Sequence, residues 1–220
     1  MPRTTSRQRG RILESAIRVF AEKGLDGTTI RMVGNRAGLN SALMYYYFED
    51  KETLFQEAIR TVMAGFFDIL ASGLHGFGSA RERLEYLVNS IFGYFTEHPE
   101  RMRLMAGTIT MHPERLGRIM NSFLRERTLT PIIVLREGME QGQLRKMNPL
   151  DAWLSIMSLC IFSLCMCAVA RHLDFKGLPV QPFDAVERRN HIIELLNQGL
   201  AASPGRRDAA GRSPSIRRKQ

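Results

Sequence analysis

Residues 28–54 read TTIRMVGNRAGLNSALMYYYFEDKETL, and this stretch decides the fold. Thr28 and Thr29 each carry a hydroxyl suited to accept from the free N–H groups of a helix start. A helix therefore opens at one of them and runs to Arg36 or Ala37. Gly38, Leu39 and Asn40 make a tight turn, with glycine supplying the backbone freedom that a bulky residue lacks. Asn40 caps a second short helix, Ser41 to Tyr47. Two short helices joined by a three-to-four-residue turn with Gly form a helix-turn-helix, whose second helix enters the major groove of DNA. Ile30, Val33, Leu39 and Met44 are placed to pin the second helix to the first. Ser41, Ala42, Leu43, Tyr45 and Tyr46 are left for the groove, whereas Tyr47 and Phe48 read as core. Asp50 caps the next helix, so Lys51 adds a positive side chain to exposed backbone N–H groups, a natural seat for a phosphate.

Outward from this stretch, almost everything reads as helix. Upstream, Ile12, Leu13, Ala16, Ile17 and Phe20 recur at spacings of three to four between about Ser6 and Lys23, and Gly24 ends that helix. Downstream, Leu54, Phe55, Ala58, Ile59, Val62, Met63, Phe66, Phe67 and Leu70 give a face about five turns long, before a break over Ser72–Gly78. Ser79 and Glu82 form a capping-box pattern, and Pro99 and Pro113 mark two further helix starts. Pro131 lies inside a helical pattern and predicts a kink or a break. Asn148 and Pro149 open an apolar helix; Gly177, Pro179 and Pro182 form a loop; Asp184 and Glu187 cap a last helix. Sustained alternation of period two is missing, which predicts an all-α chain.

The run AGLNSALMYYYFEDKETL, Ala37 to Leu54, resembles the signature of the TetR/AcrR family of regulators. The matching features are Ala37 and Gly38 at the turn, Tyr45, Tyr47 and Phe48 at the end of the recognition helix, and Asp50, Lys51 and Glu52 at the next helix start. Three positions depart from the family pattern. Gly34 stands where alanine is usual, at about 1 kcal/mol of helix propensity. Ala42 and Leu43 stand where Gly and Thr are common, and Leu43 limits any base contact there to apolar ones, such as a thymine methyl.

The resemblance implies an N-terminal three-helix helix-turn-helix domain (1–50), then a helical ligand-binding and dimerisation domain (51–203) entered through the connecting helix from 51. It implies a repressor that binds a palindromic operator in double-stranded DNA as a homodimer. The dimer would form through residues 150–173 and 184–201. Lys51, Tyr45 and Thr29 are expected at phosphates, with Arg3, Arg7 and Arg11 reaching neighbouring ones; Asn40 and Ala42 complete the contact set, and Ser41 and Tyr46 face base edges. Arg18, Arg31 and Arg36 read as solvated helix faces. For an apolar or aromatic small-molecule effector, the candidate lining residues are Met63, Phe66, Phe67, Phe92, Phe95, Met102, Met105, Met120 and Trp153. The twelve methionines of the chain suit an adaptable apolar pocket.

Charge is uneven. Residues 1–50 hold 8 Lys/Arg against 5 Asp/Glu, residues 51–204 hold 17 against 16, and residues 205–220 hold 6 against 1. A basic N-terminal segment suits phosphate contact, and the Gly-, Ser- and Arg-rich tail 204–220 reads as disordered. Cys160, Cys165 and Cys167 share one apolar stretch, unlike a secreted disulfide framework, and the N-terminus is polar; both features predict the cytoplasm. Cys160 and Cys167 share a helix face, which leaves a thiol-sensing regulator of the same fold as an alternative. Ala152–Ala170 carries no charge over 19 residues, near the ~20 that span a bilayer, so a membrane-associated helical protein is a more distant alternative. The expectation is no membrane partner, because a helix buried in a dimer core is apolar for the same reason. G-x-S-x-G, G-x-G-x-x-G, phosphate-loop and zinc spacings are all missing, and the histidines at 75, 98, 112, 172 and 191 are scattered. The expectation is accordingly no enzyme, no catalytic residues, no cofactor and no metal.

Overall fold

A computed structural model describes residues 3–74, 78–127, 129–170, 172–174, 176 and 184–201. The tail reading at 204–220 and the loop reading at Gly177, Pro179 and Pro182 lie outside the described residues. The described elements are ten helices: α1 (Arg3–Lys23), α2 (Ile30–Ala37), α3 (Ser41–Tyr47), α4 (Lys51–Leu74), α5 (Ala80–Glu97), α6 (Pro99–Met111), α7 (Pro113–Glu126), α8 (Thr130–Glu140), α9 (Pro149–Ala170) and α10 (Ala185–Leu200).

Their ends follow local chemistry. The Thr29 side chain accepts from the Met32 N–H at 3.2 Å, so Thr29 is the cap of α2. Thr28 is buried instead, and its hydroxyl donates to the Gly24 carbonyl at 2.6 Å. Gly38 closes α2 in the left-handed region, at φ 68°, which favours glycine. Asn40 Oδ1 accepts from the Leu43 N–H at 2.9 Å and starts α3. The Ser79–Glu82 capping box forms in both directions at the start of α5. At Pro131 the helix breaks rather than kinks. Helix α7 ends at Glu126, and Pro131 sits in the first turn of α8, where its missing N–H costs no hydrogen bond.

One continuous apolar core runs through the molecule. Ile12, Leu13, Ala16, Ile17 and Phe20 of α1 are buried, and Phe20 meets Phe55 of α4 edge to face at 5.0 Å. Helix α1 also packs on α6, so the N-terminal helices rest directly on the C-terminal ones. Arg101 of α6 reinforces that contact. Its guanidinium donates to Glu14 of α1 at 3.0 Å and to the Tyr94 hydroxyl at 3.0 Å, and Tyr94 in turn donates to the Val62 carbonyl at 2.7 Å. Gly65 makes room for this relay, because a Cβ there would lie 3.2 Å from the Tyr94 oxygen.

Helix α9 is long and apolar enough to cross a membrane, and one third of it is buried inside the chain. Its buried stripe is Ala152, Trp153, Ile156, Cys160, Ser163, Cys167 and Ala170, packed on α5, α8 and α10. Leu150, Leu154, Phe162 and Val169 are exposed on the opposite side, and Val186 and Leu195 are exposed on α10.

Candidate nucleic-acid interface

The helix-turn-helix is held from beneath by small and apolar contacts. Ile30, Val33, Gly34 and Ala37 of α2 and Met44 of α3 are buried. Gly34 allows the two helices to approach closely: a Cβ there would lie 3.0 Å from both the Leu39 carbonyl oxygen and Met44 Cγ. The departure from alanine at this position therefore matches a tight crossing. Phe48 is fully buried, with the Arg9 guanidinium 5.4 Å above its ring. Tyr47 is half-buried, and its hydroxyl donates to Gln8 Oε1 at 3.0 Å.

The other side of α3 is open. Ser41, Ala42, Tyr45 and Tyr46 are exposed, and Leu43 is half-exposed. Tyr45 is 58% exposed and Tyr46 76%, in a chain that buries Phe48, Phe55 and Tyr94 almost completely. The edge contact of Tyr46 with Tyr47, 5.2 Å between centroids, sets its ring outward. Thr29 and Asn40 are exposed at the N-terminal ends of α2 and α3, each spending its side-chain oxygen on its own cap.

The basic residues divide. Arg7 is exposed. Arg3 begins α1 at the backbone, and its side chain lies outside the description. Arg11 donates to the Ala37 carbonyl at 3.2 Å, satisfying an acceptor at the end of α2. Lys51 is half-buried, and its Nζ donates to the Leu25 carbonyl at 3.0 Å, which seats the ammonium beside the turn before α2. Asp50 Oδ1 accepts from the Thr53 N–H at 2.7 Å, and this bond holds the Asp50 carboxyl below its ordinary range. Arg36 grips Glu22 with two contacts of 2.7 and 2.9 Å, while Arg18 and Arg31 are exposed.

The helix-turn-helix has a buried hinge, an exposed aromatic recognition helix and a lysine at the next helix start, and the chain that carries it matches two family models. The bacterial regulatory protein model of the tetR family covers residues 12–58, and the tetracyclin repressor-like C-terminal domain model covers residues 81–196. The chain belongs to the TetR family of transcription regulators. The HTH-type transcriptional repressor NicS of Pseudomonas putida is 32% identical over 161 residues, 71% of this chain and 75% of that protein. Two solved structures share the whole fold. A TetR family regulator from Marinobacter aquaeolei VT8 superposes with TM-score 0.71 at 21% identity, over 92% of this chain and 100% of that one. FadR from Bacillus subtilis, in complex with stearoyl-CoA, superposes with TM-score 0.70 at 18% identity, over 86% and 97%.

The TetR-type C-terminal half brings the apolar effector candidates into the common core. Met63, Phe66, Phe92, Phe95, Met102 and Trp153 are buried, and Phe67, Met105 and Met120 are half-buried. Phe66 meets Phe67 and Phe95 at 5.4 Å each, and Phe67 meets Phe123 at 5.7 Å. Sequence reasoning did not find Arg101, Glu14 or Arg9. Their partners lie 48 to 87 residues away, so no local spacing signals them. Burial pushes the Cys160 thiol up to about 12, with Arg188 opposing weakly; that is the reverse of what a thiolate sensor needs.

Proposed function

We propose that this TetR-family chain is a repressor that binds a palindromic operator as a homodimer and is released by a small apolar or aromatic effector. Residues 1–50 act on the DNA, and residues 51–203 bind the effector and the second subunit. The observation that carries the DNA reading is the pair of exposed tyrosines on α3, Tyr45 and Tyr46, beside exposed Ser41 and Ala42. Aromatic side chains of that size stay in water on a monomer's surface at a cost, and here they lie on the helix that enters a major groove. Tyr45, Thr29, Arg3, Arg7 and Lys51 contact phosphates; Ser41, Ala42, Leu43 and Tyr46 face bases; Asn40 orients the helix start. Lys51 reaches its phosphate from the Leu25 carbonyl, a bond that holds the ammonium in place in the free protein.

The exposed apolar residues of α9 and α10 support dimerisation through 150–173 and 184–201. Phe162, 68% exposed, stands at the centre of the α9 face. A site of action in the cytoplasm follows from transcriptional control. Repression is supported by the likeness to NicS, which carries that function in its name. An apolar effector is supported by the ring and thioether cluster between α4, α5, α6 and α7, and by FadR, whose structure contains stearoyl-CoA. Entry there requires α4 and α7 to part, because Phe67 and Phe123 now touch.

The test is protection mapping of upstream chromosomal fragments, followed by anisotropy titration of the protected duplex. The expected footprint has two half-sites about one helical turn apart. Tyr45→Phe and Lys51→Gln each weaken binding about tenfold, and Lys51→Gln lowers the salt slope by about one. Unchanged affinity in both variants overturns the reading.

A further inference from the structure

A cleft of about 160 Å³ lies between the N-terminal half of α4 and α7, outside the aromatic cluster. Glu52, Gln56, Arg60, Arg115, Arg118 and Ser122 line it. Helix α7 runs alongside α4 here: Arg115 Nε donates to Glu52 at 3.1 Å, and Arg60 donates to Ser122 at 2.6 Å and to Glu126 at 2.5 Å. Three guanidiniums therefore border one space; Glu52 pairs with Arg115 and Glu126 with Arg60, which leaves the positive charge of Arg118 unmatched there. Arg118 is exposed, has no ion-pair partner among the described residues, and also borders a second hollow with Arg125. Pockets that enclose a whole drug-sized ligand run to about 300–1,000 Å³, so this cleft fits one polar group of a molecule. A guanidinium fork matches the paired oxygens of a carboxylate or phosphate better than any neutral group.

We propose that this cleft binds an anionic group, phosphate or carboxylate, with Arg118 as its first contact and Arg115 as its second. Ile119 forms the apolar edge of the cleft, and Phe123, one turn further along α7, lies against Phe67. A ligand held by its anionic group at Arg118 therefore points its apolar part at the core between α4 and α7. As a statement about the effector, this rests on the effector reading above; as a binding site, it stands on the cleft itself. The site also has a route to the DNA side. Glu52 lies in the first turn of α4, two residues after Asp50. An anion that engages Arg115 repels Glu52 and loosens the tie between α7 and that turn.

The full chain is titrated calorimetrically with sodium pyrophosphate and with sodium benzoate, at fixed ionic strength in chloride. Saturable binding of either probe is expected, weakened at least tenfold in Arg118→Gln with an unchanged melting temperature. Pyrophosphate alone identifies a phosphate-bearing ligand, and benzoate alone a carboxylic acid. Absence of saturable binding by both probes, or equal binding by Arg118→Gln, overturns the site. Operator affinity is measured in the same samples. Arg118-dependent binding that leaves operator affinity unchanged upholds the anion site and removes only its link to the effector. Probe binding that is lost in Arg118→Gln, beside an effector that binds Arg118→Gln as well as the parent, likewise upholds the anion site and removes only its link to the effector.

Discussion

Replacing Arg101 by Met tests how much one side chain adds to the contact between α1 and α6. Arg101 belongs to α6, and its side chain is 15% exposed, with the guanidinium between Glu14 of α1 and Tyr94 of α5. Methionine keeps much of the stem's packing and removes the charge. Glu14 is 44% exposed, so its carboxylate regains water once it loses its partner. The loss from the ion pair therefore lies nearer the ~0.2–1 kcal/mol of exposed pairs than the ~3–5 kcal/mol of a fully buried pair broken on one side. The guanidinium also lies 5.2 Å over the Tyr94 ring, a contact that adds roughly 0.5–1 kcal/mol. The Tyr94 hydroxyl loses a donor but keeps its bond to Val62. One effect runs the other way: Arg101 Nε is buried without a partner, and removing it recovers part of a desolvation cost of about 1–3 kcal/mol. The losses come to about 0.7–2 kcal/mol and the recovered desolvation offsets part of them, so the net expectation is a loss of about 0–1 kcal/mol, or ~0–4 °C in melting temperature for a chain of this size. Thermal and urea unfolding followed by circular dichroism measure it, and a double-mutant cycle with Glu14→Gln isolates the pair, at an expected coupling of about 0.5–1 kcal/mol. A coupling energy of zero, with Arg101→Met melting at the parent temperature, refutes the idea that this arginine ties α1 to α6.

Two other expectations concern titrating groups. Burial raises the Cys160 thiol to about 12, so in native protein at pH 8 an aromatic disulfide reagent should modify half-buried Cys165 while Cys160 reacts only on unfolding; mass spectrometry of the labelled peptides decides, and prompt labelling of Cys160 contradicts its burial. Hydrogen bonds from Ser79 hold the Glu82 carboxyl below its ordinary value of 4.5, so the stability it contributes is complete above that value and is lost as pH falls through the lower folded-state value. Glu82→Gln should therefore flatten the acid limb of a stability–pH profile while leaving its slope near neutrality unchanged, and an acid limb identical to the parent's counts against the capping box.

The legible parts of the molecule were those held by bonds within a few residues. Asn40 capping α3, the Ser79–Glu82 box, Gly38 at its positive φ and the apolar stripe of α1 all depend on neighbours three or four positions away. So do the inward Met44 and Phe48 and the outward Tyr45 and Tyr46, because helical periodicity assigns them to opposite faces. The choices between Thr28 and Thr29, and between kink and break at Pro131, were not decidable locally, since both members of each pair satisfy the same short-range rules. Burial of Thr28 in the folded core, with its hydroxyl on the Gly24 carbonyl, and the packing of α8 on α4 and α9 decided them.

From the sequence alone came the all-helical class, the helix-turn-helix and the inward faces of α1, α4 and α10, since each is written in a period of 3.6 and in caps spanning one turn. The crossing of those helices was left to tertiary structure. It sent Arg11 to the end of α2 and Lys51 to the Leu25 carbonyl, joined Arg101 to Glu14 across 87 residues, and gathered the arginines of α4 and α7 around one cleft. The physical reason is reach: a long cationic side chain finds its partner wherever packing brings an oxygen within about 3 Å, and that distance is set by the whole core rather than by spacing along the chain.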